Sequence, residues 1–448
     1  MMYKAEQLSL LTELHSNVED WTFNGASTRE LTHCYHDYPA RMIPQIASKL
    51  LDMFTAVDAT LLFDPYCGTG TSLLEGFTRG LNVIGTDLNP LARLIARAKL
   101  IPTNLEELDK QINKFSRFIL NSNVPKLTSF PNIQGINRLD FWFKPAVIEK
   151  LMHLKSYVSR IEESDIRLFF QVAFSETVRD SSNTRNEEFK LYRYDETRLK
   201  KFNPDVFGMM AVKLKRNRSG LAQFEKRIEN FRRLPKVAVC EFNTVVEIPN
   251  NKIHSNSVDI VVTSPPYGDS HTTVAYGQYS RLSAAWLDLE EPDKIDNKLM
   301  GSKIDKKITE FPCVPLNKAL TEINKVDKKR SLEVSGFYSD LLHSISHVAD
   351  VIKPGGYACY VVGNRKVKGT TLPTDITTKD FFQELDFDYI DTFHRSIPNK
   401  RMPLRTSPTN APGSVDTTMV QEYIVVMRKK IPKALMEKRV KYSVKRKR

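Results

Sequence analysis

With 448 residues, 41% of them hydrophobic, the chain is long enough for one large core or for two to three domains. No apolar run approaches the ~20 residues of a membrane-spanning helix, and the first residues lack a signal-peptide pattern, so we expect a cytoplasmic protein rather than a membrane or secreted one. The net charge of +13 favours a polyanion such as a nucleic acid as partner, with a merely basic surface as the alternative.

Cysteine and histidine usage predicts neither disulfide bonds nor a bound metal. The five cysteines are odd in number and form no C-x-x-C pair, which is typical of reduced thiols in the cytoplasm. The nine histidines show no spacing that is typical of metal ligands.

In chain order, the first predicted elements form a β-α-β-α unit. The apolar run ATLLFD (residues 59–64) predicts a strand, PYCGTGTS a turn and LLEGFTRG a helix. The next strand is LNVIGTD (residues 81–87), and NPLARLIARAKL predicts a second helix. Strands that alternate with helices in this way are typical of a parallel sheet in an α/β protein.

The turn after the first strand contains residues that suit a ligand with both a positive group and a ribose. Gly68 and Gly70 allow the backbone to approach a ligand closely, but the turn is neither a Walker loop nor a complete dinucleotide fingerprint. Asp64 would repel a phosphate and attract an ammonium group, whereas Asp87 can accept hydrogen bonds from ribose hydroxyls. This combination predicts S-adenosylmethionine as cofactor, and a generic βαβ turn is the alternative.

The middle of the chain is predicted to be helical and then strongly basic. Residues 105–180 have mainly helical patterns, and residues 190–236 hold fourteen Lys and Arg against five Asp and Glu. Phenylalanine and tyrosine are interleaved with these charges, so we expect the stretch to pack and to present its charge to phosphate groups. The candidate nucleic-acid contacts lie in KLKRNRSG and are Lys213, Lys215, Arg216 and Arg218.

The sheet resumes at VDIVVT (residues 258–263), a buried strand that runs into Ser264-Pro265-Pro266-Tyr267. The two prolines end any strand ladder and stiffen the chain. A turn alone would explain these residues, but rigid loops at the carboxyl ends of strands are also where open α/β sheets hold their active sites.

Beyond this corner the pattern returns to helix and strand. FYSDLLHSISHVADV predicts a helix that is closed by Lys-Pro-Gly-Gly, and a strand is predicted from Tyr357. QEYIVVMRK (residues 421–429) predicts the last strand, and a basic tail follows it.

Several of these segments together resemble the amino-methylating DNA methyltransferases, which alkylate exocyclic nitrogens of bases. HDYPARMIPQIA (residues 36–47) resembles the family's upstream cofactor motif, DPYCGTGT its methionine motif and GTDLNP its ribose motif. TSPPYG resembles its catalytic motif, and VIKPGGYACYVVGNRKVKG, HRSIPNKRMP and EYIVVMRK resemble later segments of its sheet. Each likeness is modest, but all occur in the family's order along most of the chain.

The resemblance implies an α/β fold with a doubly wound, mostly parallel seven-stranded sheet, an antiparallel last strand and an inserted target-recognition region. The implied organisation is a cofactor-binding half (residues 1–110), a helical and basic insert (111–250), a catalytic half (251–430) and a basic tail (431–448). The implied catalytic residues are Ser264, Pro265, Pro266 and Tyr267. The implied cofactor-binding residues are Tyr38, Pro39, Ala40, Asp64, Pro65, Tyr66, Gly68, Gly70, Thr71, Asp87, Leu88 and Asn89.

The first position of the catalytic motif indicates which base is methylated. In the resembling family, Ser-Pro-Pro-Tyr is typical of cytosine-N4 methylation and Asp-Pro-Pro-Tyr of adenine-N6 methylation. The Ser264 hydroxyl and the Pro265 carbonyl can accept hydrogen bonds from the amino group, and Tyr267 can stack on a base rotated out of the duplex. The implied partners are double-stranded DNA and, functionally, a cognate restriction endonuclease.

Three other functions remain open at the level of sequence: adenine-N6 methylation of DNA, guanine-N2 methylation of RNA, and DNA binding without catalysis. The Pro-Cys pair in FPCVP (residues 311–315) could suggest the nucleophile of carbon-5 cytosine methylation. It does not end a convincing strand and has no Glu-Asn-Val partner, so we interpret it as structural.

Overall fold

The computed structural model describes residues 20–121, 123–185, 190–268, 275–302, 304–397, 405–406, 416–417 and 421–432. The predicted basic tail lies outside the described residues from position 433 onward, and part of the HRSIPNKRMP segment also lies outside them. None of the helices in the described ranges combines the length and the apolarity that crossing a membrane requires. All five cysteines have free thiols.

A single seven-stranded sheet organises the molecule. Its strands are β1 (Leu61–Asp64), β2 (Asn82–Thr86), β3 (Val237–Cys240), β4 (Val258–Thr263), β5 (Ile352–Val362), β6 (Phe387–Ser396) and β7 (Gln421–Lys429). Their spatial order is β3-β2-β1-β4-β5-β7-β6, and β7 pairs antiparallel with both of its neighbours while the first five strands are parallel. This topology confirms the predicted fold. Two short antiparallel pairs, 366–367 with 370–371 and 405–406 with 416–417, lie outside the sheet.

Helices cover both faces of the sheet. They are α1 (Pro44–Phe54), α2 (Thr71–Phe77), α3 (Pro90–Leu100), α4 (Leu105–Leu120), α5 (Leu139–Trp142), α6 (Pro145–Ser159), α7 (Ser164–Ser181), α8 (Glu196–Lys201), α9 (Val206–Ile228), α10 (Tyr276–Trp286), α11 (Ile295–Lys298), α12 (Val314–Val326), α13 (Lys328–Val351) and α14 (Thr374–Gln383). A 3-10 helix (Leu31–Tyr35) precedes α1.

The two faces of the sheet form two separate hydrophobic cores. Alternate residues of a strand point to opposite faces, so Leu62 of β1 lies in one core and Phe63 in the other. The larger core lies under helices α1 to α7, α9 and α10, and the smaller one lies under α12, α13 and α14. Both faces are therefore buried, as a parallel sheet requires.

The predicted insert is not an independent module. Phe115 of α4, Phe170 of α7 and Phe224 of α9 are fully buried in the same core as Leu62. The insert was also predicted to extend to residue 250, but β3 lies within that range and forms the edge of the sheet next to β2. The sequence did not predict β3, because this edge strand has four residues and is only partly buried.

The Lys-Pro-Gly-Gly signal after α13 has a different role from the predicted one. It was expected to separate a helix from a strand that begins at Tyr357, but β5 already begins at Ile352. Val258 pairs with Ile352 and Ile260 pairs with Tyr357, so the register shifts between them and the extra residues lie in an irregular strand end. Gly355, with φ of +85°, supplies the left-handed conformation that this bulge uses.

One carboxylate holds the starts of three neighbouring strands together. Asp259 of β4 accepts hydrogen bonds at one oxygen from the backbone N–H groups of Thr60 and Leu61, both at 2.9 Å, and at the other from Nζ of Lys353 at 2.7 Å. Burial raises the pKa of Asp259, but the hydrogen bonds from Lys353 and from the two N–H groups outweigh it, so the pKa lies below its ordinary value.

We expect Asp259→Asn to lower the free energy of unfolding by about 1–3 kcal/mol at pH 7, because the amide cannot accept all three bonds. A carboxylate with a lowered folded-state pKa stabilises the protein above its ordinary pKa, and this stabilisation disappears as the pH falls through the lower value. The difference between the two proteins should therefore shrink below about pH 4. Urea unfolding at several pH values measures it. Asp58→Asn, which changes an exposed carboxylate in the preceding loop, is the control, and equal midpoints for all three proteins at pH 7 would contradict the expectation.

Candidate active site

The glycine turn after β1 is shaped by close contact with helix α3. Gly70 caps α2 at φ +77°, and a Cβ atom at this position would lie 3.1 Å from Cβ of Ala96. Gly68 also has a positive φ, of +49°. The turn can therefore follow this path only with residues that tolerate the left-handed region, which explains the two glycines predicted from the sequence.

Asp64 lies at the carboxyl end of β1 and connects the turn to β4. One of its oxygens accepts a hydrogen bond from the Thr263 hydroxyl at 2.6 Å and from the N–H of Tyr66 at 3.1 Å. The residue is 3% exposed, and this burial raises its pKa to about 6, although the hydrogen bonds oppose the shift. A cationic group of a ligand would compensate the buried charge.

Asp87 closes the turn from the end of β2. Its two oxygens accept hydrogen bonds from the N–H of Gly68 at 2.9 Å and from the N–H of Asn89 at 2.7 Å. Burial raises the pKa of Asp87, while these hydrogen bonds oppose the increase. Each carboxylate oxygen can accept a second hydrogen bond, so the group can also bind a ligand's hydroxyls.

Asn89 joins the upstream loop to the end of β2. Its side-chain oxygen caps α3 by accepting the N–H of Leu91 at 3.0 Å, and its NH₂ donates to the hydroxyls of Tyr38 and Ser280, both at 2.7 Å. The ring of Tyr38 stacks on Tyr276, the first residue of α10, with ring centroids 6.1 Å apart. The segment that contains Tyr38, Pro39 and Ala40 is thereby held against the site as a wall.

These segments line a pocket that is open to solvent. Most of the predicted site residues line it, namely Tyr38, Pro39, Ala40, Asp64, Pro65, Tyr66, Gly68, Thr71, Asp87, Leu88, Asn89, Ser264 and Pro266. Gly70, Pro265 and Tyr267 do not line it. The Tyr66 hydroxyl donates a hydrogen bond to Ser344 of α13, so this side chain supports the turn from the far side.

The sequence missed one complete wall of the pocket. Phe242, Asn243, Thr244 and Val245 follow β3 and line the cavity, and the carbonyl of Phe242 accepts a hydrogen bond from the Thr86 hydroxyl at 2.6 Å. The signal that could have found them is the short run VAVC before Glu241, but β3 itself was not predicted. Other lining residues that the sequence missed are Arg41, Met42, Cys67, Thr69, Ser72, Tyr276, Leu299 and Met300.

The predicted catalytic corner follows β4 directly. The Ser264 hydroxyl donates to the hydroxyl of Tyr267 at 3.3 Å, and Tyr267 in turn donates to Oε1 of Glu422 at 2.9 Å. Arg365 lies against the corner, because a Cβ atom at Gly268 would be only 1.9 Å from its Nη1. The corner is thus in contact with residues that follow β5 and begin β7, neither of which the sequence identified as site residues.

The four predicted DNA contacts do not form a free basic surface. All four lie on α9, but three of them pair with acidic residues of α4 and α7, and Lys215 alone of the four is exposed. The pairs are Lys213–Asp180 at 2.7 Å, Arg216–Glu176 at 2.6 Å and Arg218–Asp109 at 2.7 Å. These ion pairs count against Lys213, Arg216 and Arg218 as freely available phosphate-binding cations. A count of charges along the sequence cannot reveal acidic partners on other helices.

Two smaller predictions concern cysteine and metals. Cys313 of the FPCVP segment is 2% exposed at the start of α12, and its thiol lies 3.5 Å from the Thr377 hydroxyl, in the smaller core. Within the described ranges, no group of three or more His, Cys, Asp or Glu side chains is arranged to hold a metal ion.

Comparison with known proteins gives likenesses of very different strength. The family model for an RMKL-like methyltransferase domain matches residues 30–115. The chain is 40% identical to the type II methyltransferase M.MvaI of Kocuria varians over 441 residues, which cover 95% of this chain and 97% of that protein. It is 20% identical to the type II methyltransferase M.BsoBI of Geobacillus stearothermophilus, over 85% of this chain and 84% of that protein. A solved SAM-dependent methyltransferase of Methanosarcina mazei covers 89% of this chain and 100% of its own, with 9% identity and a TM-score of only 0.31.

The chemistry of the pocket fits S-adenosylmethionine, the cofactor predicted from the sequence. A buried carboxylate with a raised pKa (Asp64) suits an ammonium group, and a second carboxylate (Asp87) suits hydroxyl donors.

We expect the affinity for S-adenosylmethionine to fall as the pH decreases through about 6. The pKa of Asp64 in the free protein is raised to about 6, so the carboxyl group becomes neutral below that pH, whereas an ammonium group prefers the carboxylate. At the limit the dissociation constant should rise about tenfold per pH unit. Calorimetric titrations between pH 5 and pH 8 measure it.

Asp64→Asn is the matched variant, since it preserves the shape of the side chain and removes the charge. Its affinity should be about 10–100-fold lower at pH 8, in line with the loss of one charged hydrogen bond, and should depend much less on pH. A variant that binds as well as the native protein, or that retains the full pH dependence, would contradict the assignment of Asp64.

Proposed function

The chain belongs to the type II DNA methyltransferases of restriction–modification systems, and on this premise we propose that it methylates the exocyclic N4 of cytosine in double-stranded DNA. Site-specific DNA methylation with S-adenosylmethionine follows from the family itself. Membership of a DNA-modifying family also favours DNA over the alternative of guanine-N2 in RNA. The proposal adds the base, the atom that is methylated and the residues that act.

The observation that carries the choice of base is a serine at the first position of the corner. Ser264 follows the last residue of β4 and lines the same pocket as Asp64 and Asp87. Adenine-N6 enzymes typically have an aspartate at this position of the motif. A neutral hydroxyl in place of a carboxylate supports cytosine as the target.

The corner suits the activation of an amino group. An exocyclic amino nitrogen is a weak nucleophile because its lone pair is delocalised into the ring. Acceptors for its two N–H groups favour the pyramidal form, in which the lone pair is available. The hydroxyl of Ser264 and the carbonyl of Pro265 are the proposed acceptors, and the flanking prolines fix that carbonyl, so the electrostatic environment is preorganised.

The target base has to leave the duplex to reach this corner, as for other enzymes that act on bases. When bound, S-adenosylmethionine supplies a methyl group on a positively charged sulfur. The contribution of the chain is to hold the amino nitrogen beside the pocket, which Ser264 and Pro266 both line. The aromatic ring of Tyr267 is the proposed stacking surface for the rotated base.

We further propose that the methyl mark protects DNA from a restriction endonuclease that recognises the same sequence. This role is general in restriction–modification systems and needs no physical contact between the two enzymes. The pocket retains both carboxylates and the serine corner, which favours catalysis over DNA binding without catalysis.

For the DNA-binding surface, we propose α8 and the segment before it instead of α9. Residues 183–185 and 190–194 pair antiparallel, with a bridge between Thr184 and Arg193, and the N–H of Arg185 donates to the carbonyl of Tyr192 at 2.8 Å. The N–H of Leu191 donates to Gln278 of α10, the helix whose first residue lines the pocket. The exposed cations Arg198, Lys200 and Lys201, which we call the α8 surface, therefore belong to a segment attached beside the site.

The base assignment is tested by incubating the protein with labelled S-adenosylmethionine and a mixture of bacterial DNA and RNA, followed by digestion to nucleosides. We expect the label in N4-methylcytosine from DNA. Label in N6-methyladenine would overturn the choice of base but not the family. Label in RNA would overturn DNA as the substrate of this chain.

The DNA surface is tested by reversing all three charges of the α8 surface to glutamate. We expect weaker DNA binding and a shallower salt dependence, with the slope reduced by about 0.9 for each lost phosphate contact. The control reverses Arg232, Arg233 and Lys236, which are exposed and precede the edge strand β3. An equal loss of binding in both triple variants would indicate a general charge effect and would contradict the proposed surface.

A further inference from the structure

A continuous chain of hydrogen bonds runs from the corner to the antiparallel end of the sheet. It begins at the Ser264 hydroxyl, passes through the hydroxyl of Tyr267 and reaches Oε1 of Glu422. The other carboxylate oxygen of Glu422 forms an ion pair with Nη1 of Arg395. We call these four residues the corner chain.

The far end of the corner chain is fixed as an acceptor. Glu422 of β7 and Arg395 of β6 are direct cross-strand partners, and their side chains are only 15% and 8% exposed. Arg395 is itself held in place, since its Nε donates to the carbonyl of Trp21 at 3.0 Å. A carboxylate paired with a guanidinium has no proton to donate, so Glu422 can only accept from Tyr267.

This constraint passes along the chain to the serine. Burial, together with the charge of Glu422, raises the pKa of Tyr267 well above its ordinary value, so the phenol stays protonated. Its one proton is donated to Glu422, and its oxygen can therefore only accept from Ser264. The single proton of Ser264 is thus committed to Tyr267, and the lone pairs of its oxygen are left for another donor.

We propose that Glu422 and Tyr267 are positioning residues that set the direction of the corner chain, so that Ser264 presents lone pairs and not its proton to the amino group of the base. This inference rests on the proposed role of Ser264 as an acceptor. Without the chain, a serine hydroxyl could point its hydrogen at the amino group and repel the N–H bonds that it has to accept. The direction is determined by a carboxylate 158 positions away along the chain, on the last strand of the sheet.

Glu422→Gln should reverse the direction of the chain without changing its shape. Arg395 is a hydrogen-bond donor, so the amide oxygen of glutamine would remain its acceptor. The NH₂ group of the amide would then face Tyr267. Tyr267 must then accept from the amide and donate to Ser264. The serine hydrogen would point at the base, which is the unfavourable orientation.

Tyr267→Phe should interrupt the chain while it retains the aromatic ring. Ser264 would then be free to adopt either orientation, including the productive one. We therefore expect kcat to fall on the order of tenfold for Tyr267→Phe and on the order of a hundredfold for Glu422→Gln. The KM for DNA and the dissociation constant for S-adenosylmethionine should stay within about twofold of the native values, since no binding group is removed.

The double variant provides the decisive measurement. With phenylalanine at position 267, the reversed amide cannot be transmitted to Ser264, so the double variant should recover to the kcat of Tyr267→Phe alone. A residue that only supports the fold would instead give losses that add up. Tyr423→Phe is the matched control, because its hydroxyl donates to Gln421 outside the corner chain, and it should methylate at the native rate.

Ser264→Ala separates this inference from the proposed function. Native turnover by Ser264→Ala would overturn the acceptor role of the serine and the corner chain with it. If Ser264→Ala is slow but Glu422→Gln and Tyr267→Phe are as fast as the native enzyme, the acceptor role stands and the positioning role fails. A double variant as slow as Glu422→Gln would also overturn the positioning role.

Discussion

The hydrogen bond from the Thr263 hydroxyl to Asp64 joins the two chemical halves of the site. Asp64 ends β1, where the glycine turn begins, and Thr263 ends β4, where the serine corner begins. β1 lies between β2 and β4. The chain passes from β1 to β2 on one side, and it forms β4 on the other side of β1 only much later in the sequence. The carboxyl ends of such neighbouring strands form the crevice in which open α/β sheets bind ligands. The bond fixes this crevice, since it holds both strand ends at one level.

The rest of the site is built by polar contacts between segments that are distant along the chain. Asn89 joins the upstream loop to α10 through Tyr38 and Ser280, and the Tyr279 hydroxyl donates to the carbonyl of Asp37. These groups are buried and satisfied, which favours one arrangement over others. The upstream loop and α10, neither of which contributes a strand to the sheet, therefore form one wall of the crevice.

The part of the site that could be predicted from the sequence is the part that lies at strand ends. Parallel strands bring their carboxyl ends to one edge, so Asp64, Asp87 and Ser264 could be grouped once three strands were identified. The bounds of β4, residues 258–263, agree with the predicted strand. β3 was not predicted because its apolar run, VAVC, has only four residues. The pocket wall that follows β3 was missed as a consequence.

The omissions concern partners that the sequence cannot show. The basic run of α9 suggested a surface, but Lys213, Arg216 and Arg218 meet carboxylates of other helices. Glu422 begins EYIVVMRK, which was predicted as part of the sheet and not of the site, and its contact with the corner is identified only because β7 lies between β5 and β6. The position of β7 between β5 and β6 also has a consequence for biosynthesis, because domains fold as the chain emerges at roughly 5–20 residues per second. All residues that line the cofactor pocket precede position 301. By contrast, β7, which lies between β5 and β6, is made only after β6. Glu422, which completes the hydrogen bonds of the corner, is therefore made long after Ser264, Tyr267 and the pocket beside them.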